Sequence, residues 1–280
     1  MPSTTLNNKS IFYTITPQTS HLDKLNTTLL IHGLGSSSNF YHTIIPELST
    51  KSTCIAFDTP GSGLSSLAMD GSPQTVASIV EDAVALLDAL LGTAVMVTER
   101  EKEREKVWVV GHSMGGMIAC ELAVRYAQRV KGLILLGPIT PSVSLAEVFE
   151  GVEPLADSIP FSATGSIATS LHHAFIRNLI LGTTSAGYLS LSHVIVSAHK
   201  PEYAKIKVPL IILAGSDDKT APYVGCEEIL DSVGAATEKK FIHVIPGVGH
   251  WHAVEAPEVV AREILDFVDL IHRDGTTVSL

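Results

Sequence analysis

The feature that most constrains this chain is a serine set between two glycines, in the order Gly111-His112-Ser113-Met114-Gly115. It directly follows the apolar run Val107–Val110, which predicts a buried strand, and it leads into Met114–Tyr126, which predicts a helix. A sharp strand-to-helix turn leaves no room for side chains two residues before and after the serine, so glycine is favoured there. The pattern therefore predicts that Ser113 projects its hydroxyl from a strained turn into a cleft.

A serine hydroxyl is a weak nucleophile, and the chain offers partners for it downstream. Asp217 and Asp218 follow one strand-like apolar run, and His250 follows the next. A nucleophilic serine needs a base that takes its proton, and the base needs a carboxylate that orients it. Because the ends of strands in an open α/β sheet are where ligands bind, these side chains are predicted to meet Ser113.

For the carboxylate and for the base, the sequence offers a second candidate residue close by. Asp217 and Asp218 are adjacent, and their distance from the preceding strand leaves both open. His252 lies two residues after His250, but the glycine before His250 suits a tight loop that lifts an imidazole over a serine. We therefore favour His250 as the base and expect His252 to point into the following turn.

Another glycine-rich turn, His32-Gly33-Leu34-Gly35, follows a predicted strand. Backbone N–H groups in such a turn, together with the N–H after the nucleophile, can hold the negative oxygen that forms during acyl transfer. We therefore predict that the amides of Leu34 and Met114 form an oxyanion hole. The side chain of His32 is expected to hold the loop by a hydrogen bond.

Apolar runs alternate with helical patterns along the chain, which predicts β-α-β units and a parallel sheet. Helices are predicted at Pro73–Leu91 and Pro257–His272, the second of them ending before Gly275, and an antiparallel edge strand is predicted at Ser10–Thr16. The alternating charges of Thr98–Lys106 predict a surface insertion. The other strands are predicted at Thr28–His32, Thr53–Phe57, Val107–Val110, Gly132–Leu136, Val208–Ala214 and Phe241–Ile245.

The composition argues against several kinds of partner. A net charge of −10 and a pI near 5.6 disfavour nucleic acid. Met1–Ser10 lacks the apolar core of a secretory signal, and no window of about 18 apolar residues is present, so no membrane association and a cytoplasmic location are expected. The three cysteines are expected to be reduced thiols, and neither a metal nor a cofactor is expected. The expected partner is a small-molecule substrate, and a homodimer is left open.

Five segments together resemble the α/β-hydrolase superfamily over about residues 31–268, and within it the esterase and lactonase branch that includes the 3-oxoadipate enol-lactonases. They are His32–Gly35, Asp58–Ser65, Gly111–Gly116, Gly215–Pro222 and Gly249-His250. The resemblance implies an α/β fold with a mostly parallel central sheet flanked by helices and a small helical lid inserted after the sixth strand. It also favours Asp218, because the family's acid lies three residues after the loop glycine, with a proline four residues further on; Asp218 and Pro222 match this spacing, and Asp217 does not.

The family carries its lid where this chain has the insertion 141–200, so residues 1–140 and 201–280 are predicted to form the core. Helical patterns in the insertion run over Ser144–Ala156, Ile167–Leu181 and Ala186–Ser197. A lid excludes water and shapes the substrate pocket. The strong bases of the insertion are Arg177 and Lys200 alone. An anionic substrate would need a cationic clamp, so this composition favours a neutral, fairly apolar substrate, unlike the carboxylate that enol-lactonases take.

These residues predict a cofactor-independent serine hydrolase that cleaves a carboxylic ester or a lactone through an acyl-enzyme intermediate. The catalytic residues are predicted to be Ser113, Asp218 and His250. Hydrolysis of a carbon–carbon bond beside a ketone is the alternative, but relatives with that activity often have Asn before the serine, where this chain has His112. A hydrolase-fold binding protein with little or no turnover is the third hypothesis, which the complete set of three residues argues against.

Overall fold

A sheet of eight strands forms the centre of the protein, in a computed structural model that describes residues 2–20, 26–91, 106–141 and 151–276. The strands are β1 Ser3–Leu6, β2 Lys9–Thr16, β3 Thr27–Ile31, β4 Thr53–Phe57, β5 Val107–His112, β6 Val130–Leu136, β7 Leu210–Gly215 and β8 Lys240–Ile245. Their spatial order is β1-β2-β4-β3-β5-β6-β7-β8. The pairs β1–β2 and β2–β4 are antiparallel and the remaining pairs are parallel, which confirms the predicted mostly parallel sheet.

The central strands are buried on both faces, as parallel strands covered by helices must be. In β5, Val107 and Val109 belong to one hydrophobic core, and Trp108 and Val110 belong to the core on the other side of the sheet. Side chains of a strand alternate between its faces, so burial on both sides needs apolar residues at every position. This is why β5 appears in the sequence as a continuous apolar run.

The edge strand β1 was not predicted, whereas the ends of the predicted strands differ from the observed ends by at most two residues. The residues of β1 are exposed or half-buried, so no apolar run marks it. Its signal lies in the turn that joins it to β2, where Asn7 and Asn8 have φ angles of 46° and 61°. Tight hairpin turns require such angles, and asparagine tolerates them.

Helices cover both faces of the sheet. They are α1 Ile45–Leu48, α2 Val76–Leu91, α3 Met114–Arg125, α4 Val152–Ser162, α5 Ser170–Leu181, α6 Ser185–Ser197, α7 Tyr223–Ser232, α8 His252–Glu255 and α9 Pro257–Thr276. Residues of α2 and α3 pack in one core, and residues of α1 and α9 pack in the other. The predicted end of the last helix at His272 is wrong, because α9 continues through Gly275; glycine weakens a helix without forbidding it.

Among the described residues between β6 and β7, three helices, α4 to α6, form what is called the helical insertion below. Its first helix was predicted at Ser144–Ala156, but α4 begins at Val152, and residues 142–150 lie outside the described part of the chain. Pro154 lies in the first turn of α4, where a proline is tolerated, and the helix continues through a second proline, Pro160. The charged insertion predicted at Thr98–Lys106 also lies outside the described residues, apart from Lys106.

Among the described helices, none is by itself long and apolar enough to cross a membrane. The pair α5 and α6 meets the length and composition required, but the two helices are bent by 94° at the break between them. Both contribute to the protein's cores, for example through Ile176 and Leu191, which are fully buried.

Candidate active site

Ser113 occupies the turn between β5 and α3 with a strained backbone. Its φ is 55° and its ψ is −118°, a conformation that costs a residue with a side chain about 1–3 kcal/mol. Neighbouring glycines make the turn feasible, because a methyl group at Gly111 would overlap the backbone of Gly115, and one at Gly115 would overlap the carbonyl of Ile31. Close packing of β3, β5 and α3 therefore holds Ser113 in this position.

The loop after β3 lies directly against Ser113. A Cβ at Gly33 would lie 2.9 Å from the Cβ of Ser113, so glycine is needed for this approach. His32 holds the loop as predicted: its Nδ1 donates to the Gly33 carbonyl at 2.8 Å, and its Nε2 accepts from the Thr59 amide at 3.0 Å. Burial lowers the pKa of His32, which favours the neutral form that these two bonds require.

The two residues predicted to form an oxyanion hole lie close to Ser113 in different segments. Leu34 lines the same cavity as Ser113. Met114 is the first residue of α3, so its amide lies at the positive end of the helix dipole. Their role as donors to an oxyanion stays a prediction.

His250 and Asp218 form a buried pair. The Nδ1 of His250 donates to Oδ2 of Asp218 at 2.8 Å, and Oδ1 of Asp218 accepts from the amides of Thr220 and Ala221, each at 2.8 Å. Burial by itself would raise the pKa of Asp218, but the hydrogen bond and the charge of His250 outweigh burial and hold that pKa below its usual value. Asp218 is therefore an ionised carboxylate, and its hydrogen bond fixes the orientation of the His250 ring.

Asp217 makes a different set of contacts. Its Oδ2 accepts from the Ser166 amide at 2.8 Å, and its Oδ1 accepts from the Ser216 hydroxyl at 2.9 Å. Hydrogen bonds from Ser166 lower the pKa of Asp217, with smaller help from Ser216 and the charge of Lys219. The structure thus brings Asp218 to His250 and joins Asp217 to the helical insertion.

Two further histidines hold the backbone of His250, a role that was not predicted. His112 Nε2 donates to the His250 carbonyl at 2.7 Å, and His252 Nδ1 donates to the same oxygen at 2.9 Å. His252, which was expected to point into the following turn, is fully buried instead. The histidine next to Ser113 was a visible signal in the sequence, but its target lies 138 residues away.

Both of these histidines are held neutral. Burial lowers the pKa of His112 well below its usual value, and the ring stacks on Phe40 with centroids 4.3 Å apart. Burial likewise lowers the pKa of His252 to about 4. Near pH 7 neither ring carries a charge that would oppose a positive charge on His250.

Ser113 and His250 open into one cavity of about 550 Å³, called the Ser113 cavity below. Its lining comes from both the sheet loops and the helical insertion. Most of the side chains are apolar, including Leu34, Ile139, Ile159, Ala163, Tyr188, Ile195 and Trp251. A cavity of this size and character suits a small organic molecule.

Lys219 is the one formally charged side chain among the described residues that line the Ser113 cavity. It was overlooked because only the bases of the helical insertion were considered. Those bases do not line the cavity. Arg177 forms an exposed ion pair with Asp157 at 3.1 Å, and the Nζ of Lys200 lies 5.7 Å from the ring centroid of Tyr203.

Within the described ranges, no three His, Cys, Asp or Glu side chains are arranged to hold a metal ion. The cysteines Cys54, Cys120 and Cys226 are buried free thiols, and burial raises the pKa of each to about 12. Thiols that stay protonated are poor nucleophiles. Ser113 is therefore the candidate nucleophile of the cavity.

The sequence of this chain is similar to a known protein family and to several of its members. The sequence profile described as "Alpha/beta hydrolase family" matches residues 28–263. A 2-hydroxy-6-oxo-2,4-heptadienoate hydrolase of Pseudomonas putida is 25% identical in an alignment of 266 positions, gaps included, that covers 87% of this chain and 89% of that protein. A cis-3-alkyl-4-alkyloxetan-2-one decarboxylase of Shewanella oneidensis is 33% identical in an alignment of 289 positions, gaps included, that covers 90% of this chain and 84% of that protein.

A similar fold is found in the crystal structure of the enol-lactonase from Burkholderia xenovorans. The two structures superpose with a TM-score of 0.79, covering 96% of this chain and 100% of that one. Their sequences are 22% identical, so the likeness concerns the fold.

Replacing Asp218 with Asn should lower the turnover of a nitrophenyl ester by about 10⁴-fold, because an amide cannot hold the imidazole in the tautomer that accepts the serine proton. Replacing Asp217 with Asn should cost no more than about tenfold, since it weakens hydrogen bonds worth about 1 kcal/mol each. Steady-state kcat/KM measures both effects, with circular dichroism as the control for folding. A greater loss in Asp217→Asn would contradict the roles assigned to the two aspartates.

Burial of neutral His252 should make the protein lose stability as the pH falls from about 6.5 to about 4. The unfolded side chain binds a proton near 6.5, and the folded one only near 4, so acid favours unfolding across this window. At about 1.4 kcal/mol per pKa unit, the contribution is about 3 kcal/mol. Urea unfolding of His252→Asn, which can still donate a hydrogen bond but cannot titrate, should show a shallower decline than the parent protein. Equal declines would show that His252 does not titrate as its burial requires.

Proposed function

The chain belongs to the alpha/beta hydrolase family, and on that premise we propose that it is a serine hydrolase that cleaves a carboxylic ester or a lactone through an acyl-enzyme intermediate. The observation that carries the proposal is the meeting of three features at one cavity. Ser113 stands on a strained turn, His250 faces the same space, and Asp218 holds His250 by a hydrogen bond of 2.8 Å. A nucleophile, a base and an orienting acid in this relation support acyl transfer.

In the proposed reaction, the Oγ of Ser113 attacks the carbonyl carbon while Nε2 of His250 takes its proton. The resulting imidazolium is stabilised by Asp218, to which its Nδ1–H donates. His250 then gives the proton to the leaving alkoxide, and the acyl group stays on Ser113. Water, deprotonated by His250, releases the acid in a second step of the same kind.

The negative oxygen of each tetrahedral intermediate is proposed to accept hydrogen bonds from the amides of Leu34 and Met114. Such donors contribute most when they are fixed before the reaction, and each can lower a barrier by about 2.7–4 kcal/mol. The tight contact of Gly33 with Ser113 supports a fixed loop. The start of α3 at Met114 adds the positive end of a helix dipole.

We propose a neutral, fairly apolar substrate, with the helical insertion serving as a lid over the core formed by residues 1–140 and 201–280. The insertion supplies apolar walls to the Ser113 cavity through Ile159, Tyr188 and Ile195. An anion that enters such a cavity loses hydration without a matching partner. Lys219 weakens this argument only in part, because it is exposed and solvent screens its charge.

Hydrolysis of a carbon–carbon bond next to a ketone is the second candidate. It is favoured by the relative from Pseudomonas putida, whose name is that of a 2-hydroxy-6-oxo-2,4-heptadienoate hydrolase. A panel of lactones, alkyl esters and β-diketones separates the two candidates. Faster cleavage of the diketones than of every ester and lactone would favour carbon–carbon bond hydrolysis.

The parent protein should release a burst of nitrophenol from an activated nitrophenyl ester, because acylation of Ser113 precedes the slower release of the acid. Ser113→Ala should abolish the burst and lower the steady rate by several orders of magnitude while the fold is retained. Stopped-flow absorbance measures the burst, and circular dichroism checks the fold. Retention of more than about a tenth of the rate in Ser113→Ala would rule out the proposed nucleophile.

A neutral lactone should be hydrolysed with a higher kcat/KM than its analogue bearing a carboxylate, because the cavity is mostly apolar. Lys219→Met should change the ratio little, because Lys219 is exposed and solvent weakens the effect of its charge on a bound anion. A clear preference of the parent protein for the anionic lactone, lost in Lys219→Met, would show instead that Lys219 binds the substrate.

A further inference from the structure

The helical insertion is fastened to the loop that carries His250 by backbone hydrogen bonds. The Ala163 carbonyl, just after α4, accepts from the His250 amide at 2.7 Å. The Ile167 amide donates to the Gly247 carbonyl at 3.2 Å. The amide of the proposed base is thus satisfied by the insertion rather than by the sheet, which makes residues 163–167 part of the surroundings that fix its position.

The carboxylate of Glu255 lies at the centre of this contact. Glu255 is the last residue of α8 and only 4% exposed. Its Oε2 accepts from the amides of Gly165 at 2.7 Å and Gly249 at 2.9 Å, and its Oε1 accepts from the amide of Trp251 at 2.9 Å. One side chain therefore joins the insertion to the residues immediately before and after His250.

The hydrogen bonds that Glu255 makes to the insertion and to the loop of His250 are called the junction below. They require both oxygens of the Glu255 side chain to act as acceptors. An ionised carboxylate only accepts hydrogen bonds, and its two oxygens can serve three amides. A glutamine would present an NH₂ group to at least one of these amides, so a donor would face a donor. The backbones are also too close for larger residues, because a methyl group at Gly165 or at Gly249 would overlap the backbone of the opposite segment.

We propose that Glu255 is a positioning residue for His250, and that residues 163–167 form a fixed part of the active site rather than a cover that lifts away. The inference rests on the proposed function, in which His250 is the base. Glu255 does not belong to the described lining of the Ser113 cavity, whereas Ala163, His250 and Trp251 do. Glu255 therefore acts through the backbone, and it fixes the position of His250 relative to the wall of the cavity that the insertion forms.

Glu255→Gln should lower kcat for a nitrophenyl ester by about 10–10²-fold with a smaller change in KM, because a displacement of about 1 Å in a catalytic group can cost about 10²-fold. The matched control is Glu258→Gln, an exposed carboxylate three residues along the chain, which should stay within about twofold of the parent. Gly165→Ala adds a methyl group on the insertion side of the junction and leaves Glu255 unchanged. It should reproduce the loss of kcat, and it serves as the test if Glu255→Gln does not fold.

Two readouts do not depend on turnover. Hydrogen exchange should become at least about tenfold faster in Glu255→Gln at one or more of the amides of Gly165, Gly249 and Trp251, because the glutamine NH₂ must face at least one of them, while core amides of β5 keep their protection. The downfield proton resonance of the His250 Nδ1–H should shift or broaden in Glu255→Gln and stay unchanged in Glu258→Gln.

Unchanged exchange at all three amides would contradict the proposed role of Glu255 in holding the insertion to the loop of His250. Faster exchange with an unchanged His250 resonance and an unchanged kcat would contradict the positioning role. Absence of turnover in the parent protein would count against the proposed function. The His250 resonance would then still decide whether Glu255 positions that side chain.

Discussion

Close backbone contact between β3, β5 and α3 is the constraint on which the site depends. Gly115 at the start of α3 lies against the carbonyl of Ile31 at the end of β3, where no side chain fits. This contact forces the chain through Ser113 in a conformation that side chains avoid, at a cost of about 1–3 kcal/mol. The apolar cores on the two faces of the sheet hold β3 and β5 together firmly enough to maintain it. Because parallel strands end at the same edge, the loops after β3, β7 and β8 reach the same place.

Burial of polar groups explains how the loop around His250 is built. Taking a polar group out of water costs free energy unless it forms a hydrogen bond, and a buried charge needs several such bonds. The Asp218 carboxylate is satisfied by His250 and two amides. The carbonyl of His250 is satisfied by His112 and His252, which burial keeps neutral. The imidazolium that the proposed mechanism requires therefore forms beside one ionised carboxylate, with no neighbouring charged histidine to oppose it.

The helical insertion contributes to the site in two ways. It supplies apolar walls to the Ser113 cavity, which favours substrates that lose little hydration on entry. Its Ala163 carbonyl also accepts a hydrogen bond from the amide of His250. A change in the insertion would therefore affect both the walls of the Ser113 cavity and the placement of His250.

The sequence by itself determined most of the strands and helices and the sharp turn at Ser113, because these features rest on local physics. Buried parallel strands need continuous apolar runs, and a serine on a sharp turn needs glycines around it, so β5, Ser113 and α3 could be placed without a structure. The edge strand β1 lacked an apolar run and was not found. Only the tertiary structure decided how His112 and Glu255 act, since their hydrogen bonds to residues 138 and 90 positions away leave no local pattern. The tertiary structure also decided that Lys219, and not Arg177 or Lys200, borders the cavity. The direction in which a side chain points depends on how distant segments pack.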